Sequence, residues 1–452
     1  MAVKRIAPSA NSPKSNRKDF FNPPRLLLIS FVLILLPASL VLMIPGVTTS
    51  PLSFTDALFT ATSALTVTGL TTVDTARHFT IWGELFILLM IQIGGLGKVT
   101  LSMLILLAFG RRIGLTQRNL LQEELNQNQT TQITKLIKAI LLFAFAFELV
   151  GAAIMAIEFV PQHGWKNGLY YSIFHSVSAF NNAGFALFDD SLADFQHTPL
   201  IPLTIAALFI VGGIGYTVIL DVFTHREKRP LQLHTKITLS TTAFLLLFGT
   251  MGILIIESDR TGTLAHMDLS TQLLNAFFQA ASARTAGFNT VPITSLHHGS
   301  LLLMMVLMFI GAGSTSTGGG IKVSTFAVAL IATRSFLVGE DKFHAFKRNI
   351  SSWTVLRAFT VIVVSCFTLA LAMLFLMITE DADFSIVMFE TISAFSTVGF
   401  STGLTPNLTE FGKITVCFIM FIGRLGPLTL AYLLTTPMRT AVQYPTDDVF
   451  TG

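Results

Sequence analysis

The sequence predicts an all-α polytopic membrane protein built from four similar modules, and three observations lead to this fold class. Hydrophobic residues make up 52% of the chain and charged residues only 12%, against about 25% charged in an ordinary soluble domain. The mean hydropathy is +0.68, and the 40 Phe residues against 5 Tyr residues suit a lipid-facing surface. The third observation is a short glycine-containing motif that recurs four times along the chain.

The repeated motif joins a short amphipathic helix to a turn of small residues. The copies read Ala-Thr-Ser-Ala-Leu-Thr-Val-Thr-Gly-Leu at 61–70, Ser-Ala-Phe-Asn-Asn-Ala-Gly-Phe at 178–185, Ala-Ser-Ala-Arg-Thr-Ala-Gly-Phe at 281–288 and Ser-Ala-Phe-Ser-Thr-Val-Gly-Phe at 393–400. The turn glycines are Gly69, Gly184, Gly287 and Gly399. Their separations of 115, 103 and 112 residues exclude a solenoid and predict four equivalent modules.

Each module is predicted to hold a membrane span, a half-length helix, the glycine turn and a second span. A span needs about 20 apolar residues, whereas a 13-residue helix rising about 1.5 Å per residue reaches only partway across. The predicted spans are 26–45, 82–110, 137–160, 200–223, 237–257, 300–334, 355–378 and 409–437, with half-spans at 53–65, 168–180, 269–283 and 384–395. The corresponding boundaries are 1–25 (cytoplasmic N-terminal segment), 26–110, 133–223, 237–334 and 355–437 (modules 1 to 4) and 438–452 (C-terminal tail).

The basic residues orient the chain. Eight crossings put both termini on one side, and 21 of the 29 Lys and Arg residues fall on that side. The opposite side holds only Arg77, Lys166, Arg260 and Lys413. The positive-inside rule therefore places both termini in the cytoplasm. The acidic residues of the outer loops have two interpretations, ordinary solubilising charge or a vestibule that concentrates cations.

The four glycine turns predict a shared site. Non-helical backbone at membrane depth is tolerated only where it is buried in protein or lines a watery cavity. Four such turns most simply meet around one axis with pseudo-fourfold symmetry, where a ring of backbone carbonyls can replace the hydration shell of an alkali cation. Glycine permits the positive φ that such a turn needs. The alternative is that the glycines only let helices pack closely, and the fourfold repetition favours an ion pore.

With these four modules and their glycine turns, the sequence resembles the Trk/Ktr/HKT superfamily of potassium transporters. The resemblance rests on four span–pore-loop–span modules with one glycine per turn, and it covers residues 26–437. Eight spans after a short basic N-terminus are most similar to the KtrB-type membrane subunits of bacterial Ktr systems. The resemblance implies a selectivity filter that binds K⁺. Its predicted residues are Thr66, Val67, Thr68, Gly69, Asn181, Asn182, Ala183, Gly184, Arg284, Thr285, Ala286, Gly287, Ser396, Thr397, Val398 and Gly399.

A second repeat, whose first glycine lies 24 to 28 residues after each filter glycine, stands in the second span of each module. It begins Ile-Gly or Val-Gly in every copy, and in three modules the helix is predicted to continue beyond it. In module 3 it runs into a stretch rich in glycine and hydroxyl residues, which is a poor helix former. This stretch looks like the family's intramembrane gating loop. The alternative is a flexible kink without a gating role. The predicted gate comprises Gly311, Ala312, Gly313, Ser314, Thr315, Ser316, Thr317, Gly318, Gly319, Gly320 and Arg424.

Charged residues inside the membrane receive separate interpretations. Arg424 lies in the last span, where a guanidinium is costly and usually faces a cavity or partner, and it is predicted to latch the gate through loop carbonyls and Ser314 or Thr315. Arg284 has either a structural role behind the filter or a functional one. Asp56, His175 and Glu390 are predicted to be scaffold hydrogen-bond partners, and Lys322 to be interfacial.

The sequence favours a potassium-selective, channel-like uptake subunit in a bacterial plasma (inner) membrane. A coupled secondary cation transporter with alternating access is the alternative, although its signature would be inverted repeats. No nucleotide, metal or nucleophile motif suggests an enzyme, and nothing points to nucleic acid. The resemblance further implies a homodimer, activation by Na⁺ and a KtrA-type cytosolic ring that binds ATP or ADP. The basic inner surface, notably Arg111, Arg112, Arg226, Lys228 and Arg229, is predicted to include docking contacts for that ring.

Overall fold

The computed structural model describes residues 23–96, 133–225 and 230–426, and helices dominate them. The helices are α1 (Pro23–Leu42), α2 (Phe54–Thr66), α3 (Thr75–His78), α4 (Ile81–Gly95), α5 (Ile133–Phe180), α6 (Leu200–Ile214), α7 (Tyr216–Phe223), α8 (Leu233–Glu257), α9 (Leu269–Ser282), α10 (His298–Phe309), α11 (Val323–Val338), α12 (Ser352–Thr379), α13 (Phe384–Ser396) and α14 (Glu410–Leu425). Short 3₁₀ turns occur at Ala193–Phe195, Ile293–Ser295 and Thr405–Asn407.

The predicted half-spans correspond to α2, α9, α13 and the last part of α5. Helix α5 holds both the first span and the half-span of module 2, and it changes direction at Gly164, whose φ is +78°. A positive φ has no place in a right-handed helix. The two halves on either side of Gly164 therefore form separate helical segments, as the predicted division into 137–160 and 168–180 requires.

Three helices in the described part of the chain are long and apolar enough to cross a membrane. They are α8, α12 and, within α5, the stretch Lys138–Phe180. The pair α6 and α7 reaches spanning length only if the two helices are counted together. Helices α4, α10, α11, α13 and the Leu28–Leu42 part of α1 are shorter apolar helices. The eight crossings depend on these shorter helices and stay a prediction.

The second span of module 2 departs from the sequence prediction. We predict one continuous helix over 200–223, and this is wrong because α6 and α7 are bent by 96°. The bend lies at Gly215, whose φ of +105° ends the helix and whose Cα lies against the Ser314 carbonyl. In module 4, α14 likewise ends at Leu425 before Gly426, with φ +87°. A second span can therefore break at its glycine repeat outside module 3 as well.

A two-stranded hairpin lies between α11 and α12, in the described part of the chain. Strands β1 (His344–Ala345) and β2 (Arg348–Asn349) pair antiparallel. The two linking residues, Phe346 and Lys347, have φ of +47° and +60°, as a type I′ turn requires. The all-α prediction missed this hairpin because such turns are normally signalled by Asn-Gly or Asp-Gly, and neither pair stands here.

The hydrophobic core consists of four main clusters arranged in a cycle. The residue after each predicted filter glycine is fully buried, and it belongs to a cluster formed mainly by helices of the neighbouring module. Leu70 packs with α12–α14, Phe185 with α1, α2 and α4, Phe288 with α5 and α6, and Phe400 with α8–α10. Each module thus anchors the turn of the next one, and the fourth anchors the first.

Some predicted features lie outside the described residues. They are most of the N-terminal segment 1–25, the continuations of the second spans over 97–110 and 427–437, the basic residues Arg111, Arg112, Arg226, Lys228 and Arg229, and the tail 438–452.

Candidate functional site

The four half-helices end in the same backbone conformation. The residue two positions before each filter glycine is left-handed, with φ of +51° at Val67, +57° at Asn182, +73° at Thr285 and +51° at Thr397. Only Asn adopts this region readily, and β-branched residues there are genuine outliers. Strained backbone of this kind persists where the surroundings over-determine it, and its fourfold occurrence marks these turns as one site.

A serine near the end of each half-helix holds its turn. The amides of Thr68, Ala183 and Val398 donate to the carbonyls of Ser63, Ser178 and Ser393 at 2.8, 2.8 and 2.9 Å. In module 3 the Ala286 amide donates to the Ser282 carbonyl at 2.9 Å. In all four turns the donor is the residue directly before the glycine, and because the third turn is one residue shorter between serine and glycine, its bond spans four residues instead of five. The four turns therefore share one cap.

Gly69, Gly184, Gly287 and Gly399, the predicted filter glycines, form a closed ring. A Cβ added to Gly69 would meet the Ala183 carbonyl oxygen at 2.5 Å, and one added to Gly184 would meet the Ala286 oxygen at 2.9 Å. A Cβ at Gly287 would overlap the Val398 oxygen, and a Cβ at Gly399 would overlap the Thr68 oxygen. Each glycine thus lies against the carbonyl before the next glycine, and the fourth lies against the first.

Two features of the ring require glycine at each of the four positions. The φ values are +91°, +71°, +75° and +101° for Gly69, Gly184, Gly287 and Gly399, a region that only glycine visits freely. The neighbouring carbonyl also occupies the space of a side chain. The sequence predicts the positive φ. The contact with the neighbouring carbonyl exists only when the four turns are assembled.

The glycine repeat of the second spans is a packing site that sequence reasoning left without a role. Gly94, Gly212 and Gly423 lie against the carbonyls of Leu65, Phe180 and Phe395, each four residues before a filter glycine. A side chain on any of them would push the second span away from the end of the half-helix. The regular spacing of the repeat was the available signal. In module 3 the corresponding Gly311 instead lies against Gly319.

The module 3 loop, residues 311–320, folds back on itself at its ends and is pinned to module 2. Ile310 and Ile321 form a parallel bridge where the loop begins and ends. The Gly313 amide donates to the Gly213 carbonyl at 2.8 Å, and the Tyr216 amide donates to the Thr315 carbonyl at 3.2 Å. Because these contacts use the bend at Gly215, the broken helix of module 2 and the loop of module 3 position each other.

The same loop reaches the left-handed residues of three filter turns. The Thr317 hydroxyl donates to Oδ1 of Asn182 at 2.7 Å. Gly318 lies against the Thr285 hydroxyl and Gly319 against the Thr397 hydroxyl, each too close to admit a side chain. Residues 317–320 are buried. The loop therefore closes against the ring of turns from the side of the second-span glycines.

Arg424 connects this loop to module 1. Its guanidinium donates from Nη1 to the Thr317 carbonyl and from Nη2 to the Gly94 carbonyl. The predicted contact with a loop carbonyl is present. The predicted contact with Ser314 or Thr315 is not, because Ser314 pairs with Ser324 at 3.0 Å and Thr315 with Thr217 at 2.9 Å. A charged donor on two main-chain carbonyls supplies strong hydrogen bonds.

Two further basic residues contact the loop. Lys322, predicted to be interfacial, instead donates from Nζ to the Gly318 carbonyl at 2.7 Å and the Gly319 carbonyl at 3.4 Å. The reason is that the loop folds back at its C-terminal end, where Ile321 pairs with Ile310. Arg284 donates from Nη2 to Thr242 and to the Gly311 carbonyl, both at 3.4 Å. Its guanidinium thus reaches the start of the loop behind the filter.

The carboxylates and the imidazole of the half-helices have protein partners. Asp56 accepts from Ser53 at 2.6 Å and pairs with Lys413 of α14 at 2.9 Å. His175 contacts the Tyr171 carbonyl through Nδ1 at 2.8 Å and accepts the Leu187 amide through Nε2 at 3.2 Å. These contacts are those of scaffold residues.

Glu390 secures the segment that follows the fourth filter turn. Its carboxylate accepts from the Ser401 hydroxyl at 2.5 Å, the Thr402 amide at 2.9 Å and the Thr405 hydroxyl at 2.8 Å. The side chain is almost fully buried. Buried donors that lose their acceptor cost free energy, so this carboxylate maintains the turn from behind.

We expect Glu390→Gln to lower the free energy of unfolding of the purified protein by about 1–3 kcal/mol. The reason is that the amide nitrogen of Gln is itself a donor and would face donors that now bond to the carboxylate of Glu390. The measurement is the midpoint of thermal unfolding in detergent. Glu410→Gln is the matched control, because the Glu410 side chain is 61% exposed. Equal midpoints for the two variants would contradict the role of Glu390.

Exposed loops on the face opposite Arg424 carry an ion pair between modules 1 and 2. Arg77 donates from Nε to Asp189 at 2.9 Å and makes a second contact through Nη2. The hydrogen bond from Arg77 lowers the pKa of Asp189 from its usual value. Asp189 therefore keeps its charge at neutral pH, with a basic partner.

Fold and site together define a polytopic helical membrane protein in which four short helices end at a ring of turns. The chain belongs to the TrkH family of cation transport proteins, which matches residues 26–443. It is 51% identical to Ktr system potassium uptake protein B of Vibrio alginolyticus, with 95% of each chain covered. It is 45% identical to Ktr system potassium uptake protein B of Bacillus subtilis, covering 96% of this chain and 97% of that one.

Two further comparisons extend this relationship. The potassium/sodium uptake protein NtpJ of Enterococcus hirae is 37% identical, with 97% of this chain and 99% of that one covered. The crystal structure of the potassium transporter TrkH from Vibrio parahaemolyticus superposes with a TM-score of 0.73, covering 93% of this chain and 87% of that chain. At 20% identity this match shows the shared fold alone. The family resemblance stated from the sequence is confirmed.

Proposed function

We propose that this protein is a potassium-selective, channel-like ion uptake subunit whose selectivity filter is the ring of four glycine turns. The observation that carries the proposal is the closed cycle in which each filter glycine lies against the carbonyl before the next one. The relatives named for potassium uptake support the choice of ion. The proposed substrate is K⁺, and no cofactor is assigned to this chain.

The chemistry of the ring suits an alkali cation. The carbonyls of Thr68, Ala183, Ala286 and Val398 lie at equivalent places in the cycle, so the four modules share pseudo-fourfold symmetry about one pore in this proposal. Carbonyl oxygens replace the hydration shell of such an ion without bearing a formal charge. Each half-helix also ends at its turn, and the C-terminal end of a helix carries partial negative charge.

The loop over 311–320 is the proposed gate. Its buried contacts to Asn182, Thr285 and Thr397 put it directly against the filter turns. Arg424 bridges the loop to Gly94 of module 1, so its positive charge lies beside the proposed pathway of a cation. A loop that is held by hydrogen bonds and not by helical structure can adopt a second arrangement.

The proposed protein works as the membrane subunit of a larger system. The relatives belong by name to Ktr systems, which implies a further component. We assign this role to a KtrA-type cytosolic ring that binds ATP or ADP, and we propose a homodimer activated by Na⁺. The proposed location is the bacterial inner membrane, with both termini in the cytoplasm.

Ion uptake by cells tests the function. In cells that lack their own potassium uptake, expression of this chain with a co-expressed Ktr regulatory subunit is expected to restore uptake of K⁺ and of Rb⁺. Expression without that subunit is expected to give less uptake. Equal uptake of K⁺ and Na⁺ by the expressing cells, or no uptake above that of empty cells, would refute the proposal.

The basic stretch Arg226, Lys228 and Arg229 belongs to the inner surface predicted to include docking contacts for the cytosolic ring, and it lies outside the described residues. We expect reversal of these three charges to weaken co-purification with the ring about tenfold, because exposed complementary charges raise association rates. The measurement is a pull-down at low and at high salt. Reversal of Lys342 and Lys347 in the hairpin region serves as the control. Undiminished binding with correct topology would remove the cluster from the interface.

A further inference from the structure

Two cavities lie beside α11, away from the filter ring. One of about 460 Å³ lies among α10, α11, α12 and α13. The other, of about 350 Å³, lies among α8, α11 and the hairpin. Leu330 lines both of them. The two cavities therefore adjoin along one helix.

The larger cavity is suited to a hydrocarbon chain. Its lining includes Phe309, Ile310, Ile321 and Ile392, and its hydroxyl-bearing member, Thr333, already donates to the Ala329 carbonyl at 2.9 Å. Val306 at the rim is 47% exposed. A cavity without an unsatisfied polar group does not hold ordered water. Since its rim lies between apolar membrane helices, the surrounding medium that can fill it is lipid.

The smaller cavity offers polar and basic groups. Ser240, Thr241 and Arg334 line it together with His344. The acidic member of the lining, Glu340, lies 3.4 Å from Nδ1 of His344. Lys236 stands nearby, with its ammonium 6.0 Å from the ring centre of Phe346. This end of the site is therefore suited to an anionic group.

One amphipathic molecule can occupy both cavities. Leu330 and Arg334 are one helical turn apart, about 6 Å along the axis, and Leu330, Thr333, Arg334 and Leu337 form an exposed strip between the cavities. Trp353, 69% exposed at the start of α12, marks this level as the membrane–water interface, where Trp concentrates. We propose that this strip binds an anionic phospholipid, with an acyl chain in the larger cavity and its phosphate at Arg334.

An acyl chain bound in the larger cavity would affect the loop over 311–320. Ile310 and Ile321 line the larger cavity and also form the bridge at which the loop 311–320 begins and ends. A ligand that fits the cavity in this arrangement stabilises this arrangement over others. This consequence rests on the proposed function of the loop as a gate, whereas lipid binding itself does not.

The test uses the full-length protein in phosphatidylcholine vesicles with a trace of phosphatidylglycerol that carries a diazirine on its acyl chain. We expect photolabelling of peptides from α10 and α11, displaced by unlabelled phosphatidylglycerol. Arg334→Gln removes a basic contact to the phosphate and is expected to lower labelling roughly fivefold. Ala329→Phe, which fills the larger cavity, is expected to abolish it. Lys347→Gln, an exposed charge of the same hairpin, is expected to leave labelling unchanged.

Several results would overturn the proposal. Equal labelling by a phosphatidylcholine probe, with no effect of Arg334→Gln, would mean ordinary boundary lipid. Displacement by millimolar inorganic phosphate would mean a site for a free anion. Dissociation of a dimer by Ala329→Phe, without labelling of the wild type, would mean that a second copy covers the cavity. Labelling requires no ion flux, so its outcome is separate from that of the uptake experiment. Arg334→Gln alters an exposed residue and keeps the test valid if Ala329→Phe does not fold.

Discussion

Replacing any one of the four filter glycines with Ser is expected to lower the preference for K⁺ over Na⁺ about tenfold or more. The added Cβ forces a residue with ordinary φ preferences into backbone at +71° to +101°. It also meets the carbonyl oxygen of the neighbouring turn, at 2.9 Å for Gly184 and closer for the others. Because that carbonyl is a proposed ion ligand, its displacement changes the ligand geometry. The measurement is the uptake of Rb⁺ in competition with K⁺ and Na⁺.

Gly403→Ser is the matched control for backbone strain. Gly403 has φ +93°, in the segment just after the fourth filter turn, and a Cβ added there meets nothing within 4 Å. It shares the left-handed conformation of the filter glycines but lacks their neighbouring carbonyl. We expect its selectivity to match the wild type. Wild-type selectivity in all four filter variants would show that the ring is not the filter.

Removal of residues 314–317 is expected to raise K⁺ flux about tenfold and to reduce its dependence on the nucleotide-bound partner. The deletion removes the Thr317 hydrogen bond to Asn182 and the carbonyl that accepts from Arg424. Two such contacts, one of them to a charged group, stabilise the loop arrangement by roughly 2–4 kcal/mol. Arg424→Ala is expected to act in the same direction with some loss of stability, since the Gly94 carbonyl also loses its donor.

The control is Arg357→Ala, which removes an exposed arginine from α12. Flux is measured in proteoliposomes at equal protein density, with and without the regulatory ring. Selectivity is expected to change little, because the deleted residues lie outside the four filter turns. A folded, membrane-inserted deletion variant with wild-type flux and undiminished need for the partner would identify the loop as a structural kink.

Much of the candidate site could be predicted from local sequence. The half-helices and their glycines repeat in order, and a turn glycine has a mechanism that one copy already suggests. Arg424 was recognisable because a guanidinium in an apolar helix is costly without partners. These features depend on residue type and spacing within one segment.

Other features depend on contacts between modules and could not be read from one segment. The left-handed φ of Val67 and Thr397 contradicts the preference of β-branched residues, and the loop of module 3 lies against Thr397 from outside its own module. The bend at Gly215 has the same origin, because the Ser314 carbonyl of module 3 occupies the space beside it. Lys322 contacts the Gly318 and Gly319 carbonyls only because the loop folds back toward it. In each case a tertiary contact overrides the local propensity.

The most direct test of the central claim is the position of Rb⁺ in crystals of the protein grown in RbCl, located by anomalous scattering. The account predicts a Rb⁺ peak on the axis of the ring, surrounded by the carbonyls of Thr68, Ala183, Ala286 and Val398. The peak is expected to persist when an equal concentration of NaCl is added to the RbCl, as a potassium-selective site requires, and to be lost in Gly184→Ser. A well-ordered ring without a Rb⁺ peak, with Rb⁺ bound instead at another site in the membrane region, would contradict the account.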